Sequence, residues 1–313
     1  MKTRTIVVTG TLGFDFISNF NGKFSDRIMP DKLHKISLSF LVDTLTKQFG
    51  GTAGNIGYSL TLLGIRADIL APAGNDFSSY KAYLKMRKVS TGKIKEYRDC
   101  ATSLYSVMTD VDDNQIGSFY VGATKYADTL KIPKCHFAVL SPTIPTAMIK
   151  YVMQCKKLKI PYLFDPAFQI ASFSKKELLE GIDGAAILIG NDYEITLIEK
   201  KCELTHEKLL ARCPIVITTK GGEGSLIETK KEKISVGIAK VKAIVDPTGA
   251  GDAYRAGFLA GYLRGFDLKI SGQMGAVAAA YTVEKKGTIT HIFTTQQFAK
   301  RYKDSFGEKL SLS

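Results

Sequence analysis

Four short apolar runs, Phe137–Leu140, Tyr162–Phe164, Ala186–Ile189 and Ile215–Thr218, recur between stretches that read as helices near Thr146–Lys157, Lys175–Leu179 and Tyr193–Lys200. Runs this short, apolar on both alternations, belong to strands covered on both faces, and strands alternating with helices give a parallel sheet. The pattern begins early: Ile6-Val7-Val8 is a buried-strand run ending at Gly10, Asn55–Leu63 reads as a helix closed by Gly64, and Ala67–Leu70 as a strand. Asp76 is placed to cap a helix from Phe77 towards Met86. Two segments break the alternation, approximately residues 14–47 and 93–124, and both are richer in β and turn residues. In the second, Ser103–Thr109 and Gln115–Tyr120 are joined by Asp-Asp-Asn at 112–114, which is hairpin chemistry. No flexible linker, repeat or low-complexity tract intervenes. The expectation is an α/β chain of one domain, residues 1–313, whose two irregular segments fold into one small β-sheet lid.

Length agrees, since 313 residues lie near the upper limit for a single hydrophobic core. With 45% hydrophobic and 23% charged residues the chain is globular. Forty-three Lys and Arg against 30 Asp and Glu leave a net charge of +13, which alone selects no partner. The lysine pairs at 156–157, 175–176, 200–201, 230–231 and 285–286 are scattered, without the basic stripe and interleaved aromatics of a nucleic-acid binder. They predict solvated surface and no nucleic-acid partner. Five cysteines, at 100, 135, 155, 202 and 213, form no C-x-x-C pair and none stands beside His at metal-ligand spacing, so reduced thiols are expected. No apolar stretch approaches the roughly 18 residues of a membrane span, and the N-terminus has too short an apolar run for a signal peptide. A cytoplasmic protein with no membrane partner is predicted. The four histidines, 34, 136, 206 and 291, show no metal spacing.

The segment richest in chemistry is Asp246-Pro247-Thr248-Gly249-Ala250-Gly251-Asp252, followed by a helical run. Glycines on both sides of Ala250 let the backbone bend around a ligand, and the helix directs free N–H groups and its positive end back at that loop. Asp252 at the helix start is stabilised as an ionised base. A general base beside a phosphate-sized anion hole, formed by the amides of Gly249, Ala250 and Gly251, is what phosphoryl transfer to a hydroxyl needs. The plainer reading is a glycine-rich turn with Asp252 as an ordinary cap. Gly50-Gly51-Thr52-Ala53-Gly54-Asn55 offers a second close approach, with Asn55 supplying donor and acceptor to neighbouring hydroxyls; it is equally a glycine-rich helix entry. Asn191-Asp192-Tyr193-Glu194 follows a strand, where Glu194 can hold Mg²⁺ through water, or stand in a solvated first turn with Asp192 near the cap. Thr219-Lys220-Gly221-Gly222-Glu223-Gly224 suits a nucleotide-phosphate loop or a hairpin. A P-loop is absent, and G-A-G-D-A-Y lacks the third glycine of a dinucleotide fingerprint, which argues against an NAD oxidoreductase.

These four segments, in this order, resemble the ribokinase-like (PfkB) sugar and nucleoside kinases across residues 3 to 306. Gly50–Asn55 matches the N-terminal signature, Asp246–Asp252 the C-terminal D-x-x-G-A-G-D signature, Asn191–Glu194 the N-x-x-E element, and Thr219, Gly221 and Gly224 the nucleotide loop. The stretches Phe24–Gly64, Asp112–Ala123 and Asp246–Gly257 are most similar to bacterial adenosine kinases, with which Pro247 also agrees. The resemblance implies a Rossmann-type three-layer α/β/α domain with a small β-sheet lid, and ATP-dependent phosphorylation of the adenosine 5′-OH with ATP and Mg²⁺. It implies that Asp15, Gly51 and Asn55 hold ribose hydroxyls with Thr11 and Ser39 lining the pocket, that Tyr105 and Phe119 flank the base, and that Gln169 contacts base or ribose. Asn191, Thr219, Gly221 and Gly224 would hold ATP, Glu194 the Mg²⁺, and Asp252 would act as base. A sugar kinase, a kinase for another nucleoside and a catalytically idle nucleoside sensor are the alternatives. The exposed β edge of the lid predicts a homodimer.

Overall fold

The computed structural model describes residues 5–30, 34–35 and 37–312. Residues 1–4, and residues 31–33 and 36 of the first expected lid segment, lie outside them. In chain order the elements are β1 (Ile6–Thr9), β2 (Gly13–Asn19), β3 (Thr44–Gly50), α1 (Thr52–Leu62), β4 (Ala67–Leu70), β5 (Pro72–Ala73), α2 (Ser78–Met86), β6 (Lys95–Glu96), β7 (Ser103–Thr109) and β8 (Gln115–Tyr120). They continue with β9 (Phe137–Leu140), α3 (Pro145–Leu158), β10 (Tyr162–Phe164), α4 (Lys175–Ile182), β11 (Ile187–Asn191), α5 (Asp192–Cys202), α6 (His206–Arg212) and β12 (Val216–Thr219). The hairpin strands β13 (Ser225–Glu228) and β14 (Lys233–Val236) and helices α7 (Ala250–Tyr262), α8 (Leu268–Val283) and α9 (Thr295–Phe306) complete the chain.

An eight-stranded sheet runs in the order β14-β13-β12-β11-β10-β9-β1-β4, parallel from β12 to β4, with the last hairpin antiparallel at the other edge. Period-two alternation sorts its side chains between two cores. Ile6, Val8, Val139, Leu163, Ile187, Ile189 and Ile217 face one side, packed with Ile56 and Leu60 of α1, Leu84 of α2 and Phe258 of α7. Val7, Ala138, Leu140, Phe164, Leu188 and Val216 face the other, against Met148 and Val152 of α3, Leu178 of α4, Ile198 of α5 and Leu209 of α6. This is the expected ribokinase-like α/β fold with helices on both faces. A third cluster joins α7, α8 and α9.

A separate four-stranded sheet, β3-β2-β7-β8, is built from residues 13–19, 44–50, 103–109 and 115–120. Its hairpin turn is organised by Asp110, whose carboxylate accepts from the amides of Asp112 and Asn114, with Asp113 at φ 62°. The sheet joins the larger unit where Gly13 pairs with both Gly50 and Ser103, so β3 runs straight into α1.

Two local expectations differ. Helix α1 starts at Thr52, not Asn55. Gly54 and Gly57 belong to it because Tyr80 Oη and Ile69 occupy the space their side chains would need. Asp76 does not cap α2; its carboxylate accepts from the Thr102 amide and ties the loop before β7 to the larger unit. As expected, Asp192 lies beside the cap of α5, as its first residue after the Asn191 cap.

Candidate active site

Gly249 is the N-cap of α7, and its φ of 80° is one only glycine adopts easily, while a Cβ there would strike Thr288. Asp246 shapes the loop ahead of it: one carboxylate oxygen accepts from the Thr248 amide, the other from Gly287. Burial works against its charge, yet these bonds hold the carboxyl below the usual range. The Ala250 amide, expected to face an anion, instead turns back to the Pro247 carbonyl at 3.2 Å. Among the described residues the amides of Gly249, Gly251 and Asp252 take no such partner, which leaves them as the donors available for an anion hole.

Asp252 stands in the first turn of α7, partly buried. Its Oδ2 accepts from Asn55 Nδ2 at 2.8 Å, bridging α7 to α1. Burial raises the Asp252 carboxyl to about 6, opposed by the Arg255 cation and the Asn55 bond. It is therefore ionised at neutral pH yet basic enough to accept a proton. Asn55 is itself 5% exposed, and its Oδ1 is a buried acceptor with no hydrogen-bond partner among the described residues. An unmet buried acceptor costs about 1–3 kcal/mol, a deficit that a substrate hydroxyl would remove.

Around Asn55, Gly51 (φ 90°) caps α1 so closely against Thr11 that a Cβ would lie 2.5 Å from the Thr11 carbonyl oxygen. Thr11 and Thr52 exchange amide-to-hydroxyl hydrogen bonds at 3.3 and 3.4 Å, fixing the ends of β1 and α1 to each other. In the small sheet, cross-strand register places Gln48, Asp15, Tyr105 and Phe119 in one row across all four strands. Registered partners share a face, so one carboxylate and two exposed rings, Tyr105 at 39% and Phe119 at 51%, look the same way. Burial, with Asp246 adding to it, raises the Asp15 carboxyl to about 6. Ser39 is not brought into this cluster: it is exposed beside Phe40, whose ring packs on Phe20 and Phe24. Gln169 is half-buried in a short 3-10 turn after Ala167, itself at φ 41°, and makes no hydrogen bond to the pocket residues.

On the other side of the anion hole a cavity of about 270 Å³ is lined by Ile238, Ile244, Ala276, Ala280 and Val283, by Thr219, Gly221 and Gly224, and by Pro247 and Gly251. Gly221 (φ 54°) and Gly224 (φ 91°) are required by conformation. Thr219 Oγ1 donates to the Gly190 carbonyl, and Thr219 pairs with Asn191, so the β11 and β12 ends are neighbours. Asn191 and Glu194 form a reciprocal capping box. One Glu194 oxygen is thereby committed, and burial raises its carboxyl despite the Asn191 amide bond. A single remaining hard oxygen fits Mg²⁺ held through water, an ion that leaves most of its coordination to waters and phosphates. No group of three or more His, Cys, Asp or Glu among the described residues forms a dedicated metal cage.

Sequence reasoning missed one pair. Asp165, after β10, and Arg255, one turn beyond Asp252, form a buried bidentate ion pair at 2.5 and 2.8 Å. The available signal was a lone cation in an otherwise apolar helix.

Over residues 22–295 the chain matches the pfkB family of carbohydrate kinases. It belongs to that family. The nucleoside kinase of Methanocaldococcus jannaschii is 32% identical over 305 residues, 96% of this chain and 97% of that one. The crystal structure of the M. jannaschii enzyme, an archaeal member of the ribokinase family, aligns at a TM-score of 0.88 with 30% identity, covering 96% and 98% of the two chains. Burkholderia thailandensis nucleoside kinase in complex with inosine aligns at 0.86 with 28% identity over 97% of this chain and 99% of that one. The same Burkholderia enzyme in an ADP-inosine complex also gives 0.86, at 29% identity over 98% of each chain. This kinase is a phosphotransferase, and no helix of its described residues is long and apolar enough to cross a membrane.

Proposed function

We propose that this kinase transfers the γ-phosphoryl group of ATP to the 5′-hydroxyl of a nucleoside, with adenosine as acceptor. The observation carrying this reading is the Asn55–Asp252 contact, which joins a hydroxyl-binding row on one side to the anion hole and apolar cavity on the other. Nucleosides rather than free sugars fit because Tyr105 and Phe119 offer exposed rings beyond Asp15, surface that a base uses by stacking and a sugar does not. The relatives named above as nucleoside kinases favour the same class.

In this mechanism Asp15 and Asn55 hold the ribose hydroxyls, and Gly51 and Thr11 keep the pocket floor close. Asn55 occupies Asp252 Oδ2, leaving Oδ1 to receive the 5′-hydroxyl proton. The oxygen–phosphorus bond forms as the bond to ADP breaks, and the Gly249, Gly251 and Asp252 amides meet the charge on the transferring group. The base of ATP lies in the apolar cavity, with Thr219, Gly221 and Gly224 along its phosphates. Asn191 would contact ATP, and Glu194 would hold, through water, the Mg²⁺ that offsets phosphate charge when bound. The small sheet serves as lid, excluding water that would compete for the phosphoryl group.

Strand β8, an edge strand with all six residues exposed, is the surface for a homodimer. Five cysteines free of disulfides fit a cytoplasmic setting.

The test is Asp252→Asn, with ATP affinity from calorimetry and turnover from ADP release. We expect ATP affinity within about threefold of native and kcat lower by roughly 10²–10⁴. Near-native kcat in that variant would remove Asp252 as the base.

A further inference from the structure

The Asp165–Arg255 pair has a place in the chemistry beyond the residues already assigned. Its side chains are 1% and 8% exposed. Arg255 Nε reaches Asp165 Oδ2 at 2.5 Å and Nη2 reaches Oδ1 at 2.8 Å, so the planar guanidinium is held along one edge. Such a pair is a poor stabilising device: desolvating two ions offsets most of their attraction, and apolar replacements of equal volume are often neutral or better. Its location gives it a use. Arg255 is four residues after Gly251, on the same face of α7, and a Cβ placed on Gly251 would lie 2.9 Å from Arg255 Nη1. Arg255 Nη1 makes no hydrogen bond among the described residues. The nitrogen that Asp165 does not use thus lies against Gly251, the residue whose amide is assigned to the anion hole. A side chain at Gly251 would have to displace this guanidinium.

The charged groups facing Arg255 are Asp165 from the β10 end, Asp252 on its own helix and Glu194 on α5, all anionic. Burial opposes its charge, but these three carboxylates more than compensate. Arg255 is a fixed cation at the junction of the base, the anion hole and the Glu194 site.

We propose that Arg255 is a catalytic residue of this kinase: Asp165 holds two guanidinium nitrogens so that Nη1, beside Gly251, donates to a γ-phosphoryl oxygen in the transition state. As the acceptor oxygen bonds to phosphorus, its proton passes to Asp252, the bond to ADP breaks, and charge shifts onto the equatorial and leaving oxygens. A preorganised cation there strengthens its hold as the reaction proceeds, which raises kcat rather than ATP affinity. This inference rests on the phosphoryl-transfer reading above.

Two variants test it, each compared with the native enzyme for fold by circular dichroism, ATP affinity by calorimetry and kcat with nucleoside. Arg255→Lys keeps a cation opposite Asp165 and therefore the fold, but loses the fork. The double variant Asp165→Asn with Arg255→Gln removes both charges and orphans neither. The expected result is a kcat loss of roughly 10²–10³ in the double variant and at least about tenfold in Arg255→Lys, with ATP affinity within about threefold. A kcat within about threefold of native in either folded variant overturns the proposal, as does weakened ATP binding at unchanged kcat, the mark of ground-state contact alone. Asp252→Asn, run alongside, separates the two claims. If it is inactive while the Arg255 variants are native-like, only the role of Arg255 fails; if it also turns over normally, the reading of the base fails.

Discussion

Burial lifts the Asp252 carboxyl to about 6, and with Asp252 as the proposed base this sets the working range of the enzyme. A base must be ionised to accept a proton, so kcat/KM is expected to climb between pH 5 and 7 with a midpoint near 6 and to level off above. A flat profile from pH 5 to 8 would contradict this. Asp15 has the same elevation for a different task. Its folded value lies above the 3.8 of the unfolded chain, so the native state binds the proton more tightly. Its effect on stability is thus most favourable in acid and is lost as pH rises through about 6. At pH 7.5 its charge is a burden on the fold. Asp15→Asn is therefore expected to raise Tm at pH 7.5 while raising the acceptor KM by roughly 10–100-fold, the amount one charged hydrogen bond of about 1.5–3 kcal/mol commands. A lower Tm with unchanged KM would refute both halves.

At the scale of elements, α7 is held by its closeness to α8. A Cβ on Gly257 would lie 2.4 Å from the Met274 carbonyl oxygen, and one on Gly261 would lie 2.8 Å from Ser271 Cα. Gly257→Ala is expected to destabilise the protein by about 1–3 kcal/mol through overpacking, read from urea unfolding, and to lower kcat because α7 carries Asp252. Unchanged stability would show that the helices separate without cost. The strands of the parallel sheet were legible because each is a short run buried on both faces, and the β7–β8 hairpin because Asp112–Asn114 is turn chemistry. Helix α8 was not, since ten of its residues are buried and small side chains surround it, leaving no apolar stripe to read. The α1 start was obscured by Gly51 and Gly54, which locally resemble a loop. In the site, the motif glycines, Asn55 and Asp252 could be read from their segments, and Asp15 only through the family resemblance. Asp165 and Arg255 are 90 residues apart, and only the fold brings them together.

Across the molecule, the larger unit supplies rigid strand and helix ends, and the small sheet adds the row of Asp15, Tyr105 and Phe119. Net charge contributes little to this arrangement. The proposed phosphate contacts are backbone amides and one buried arginine, while most of the lysines behind the +13 lie outside the site segments. The identity of the acceptor rests on the small sheet, and turnover of the intact enzyme decides it. The measurement is an ATP-consumption assay over adenosine, inosine, guanosine, ribose and fructose at equal concentration. The account predicts strong turnover with nucleosides, adenosine foremost, and little with either free sugar. Strong turnover with ribose or fructose and none with adenosine would contradict it.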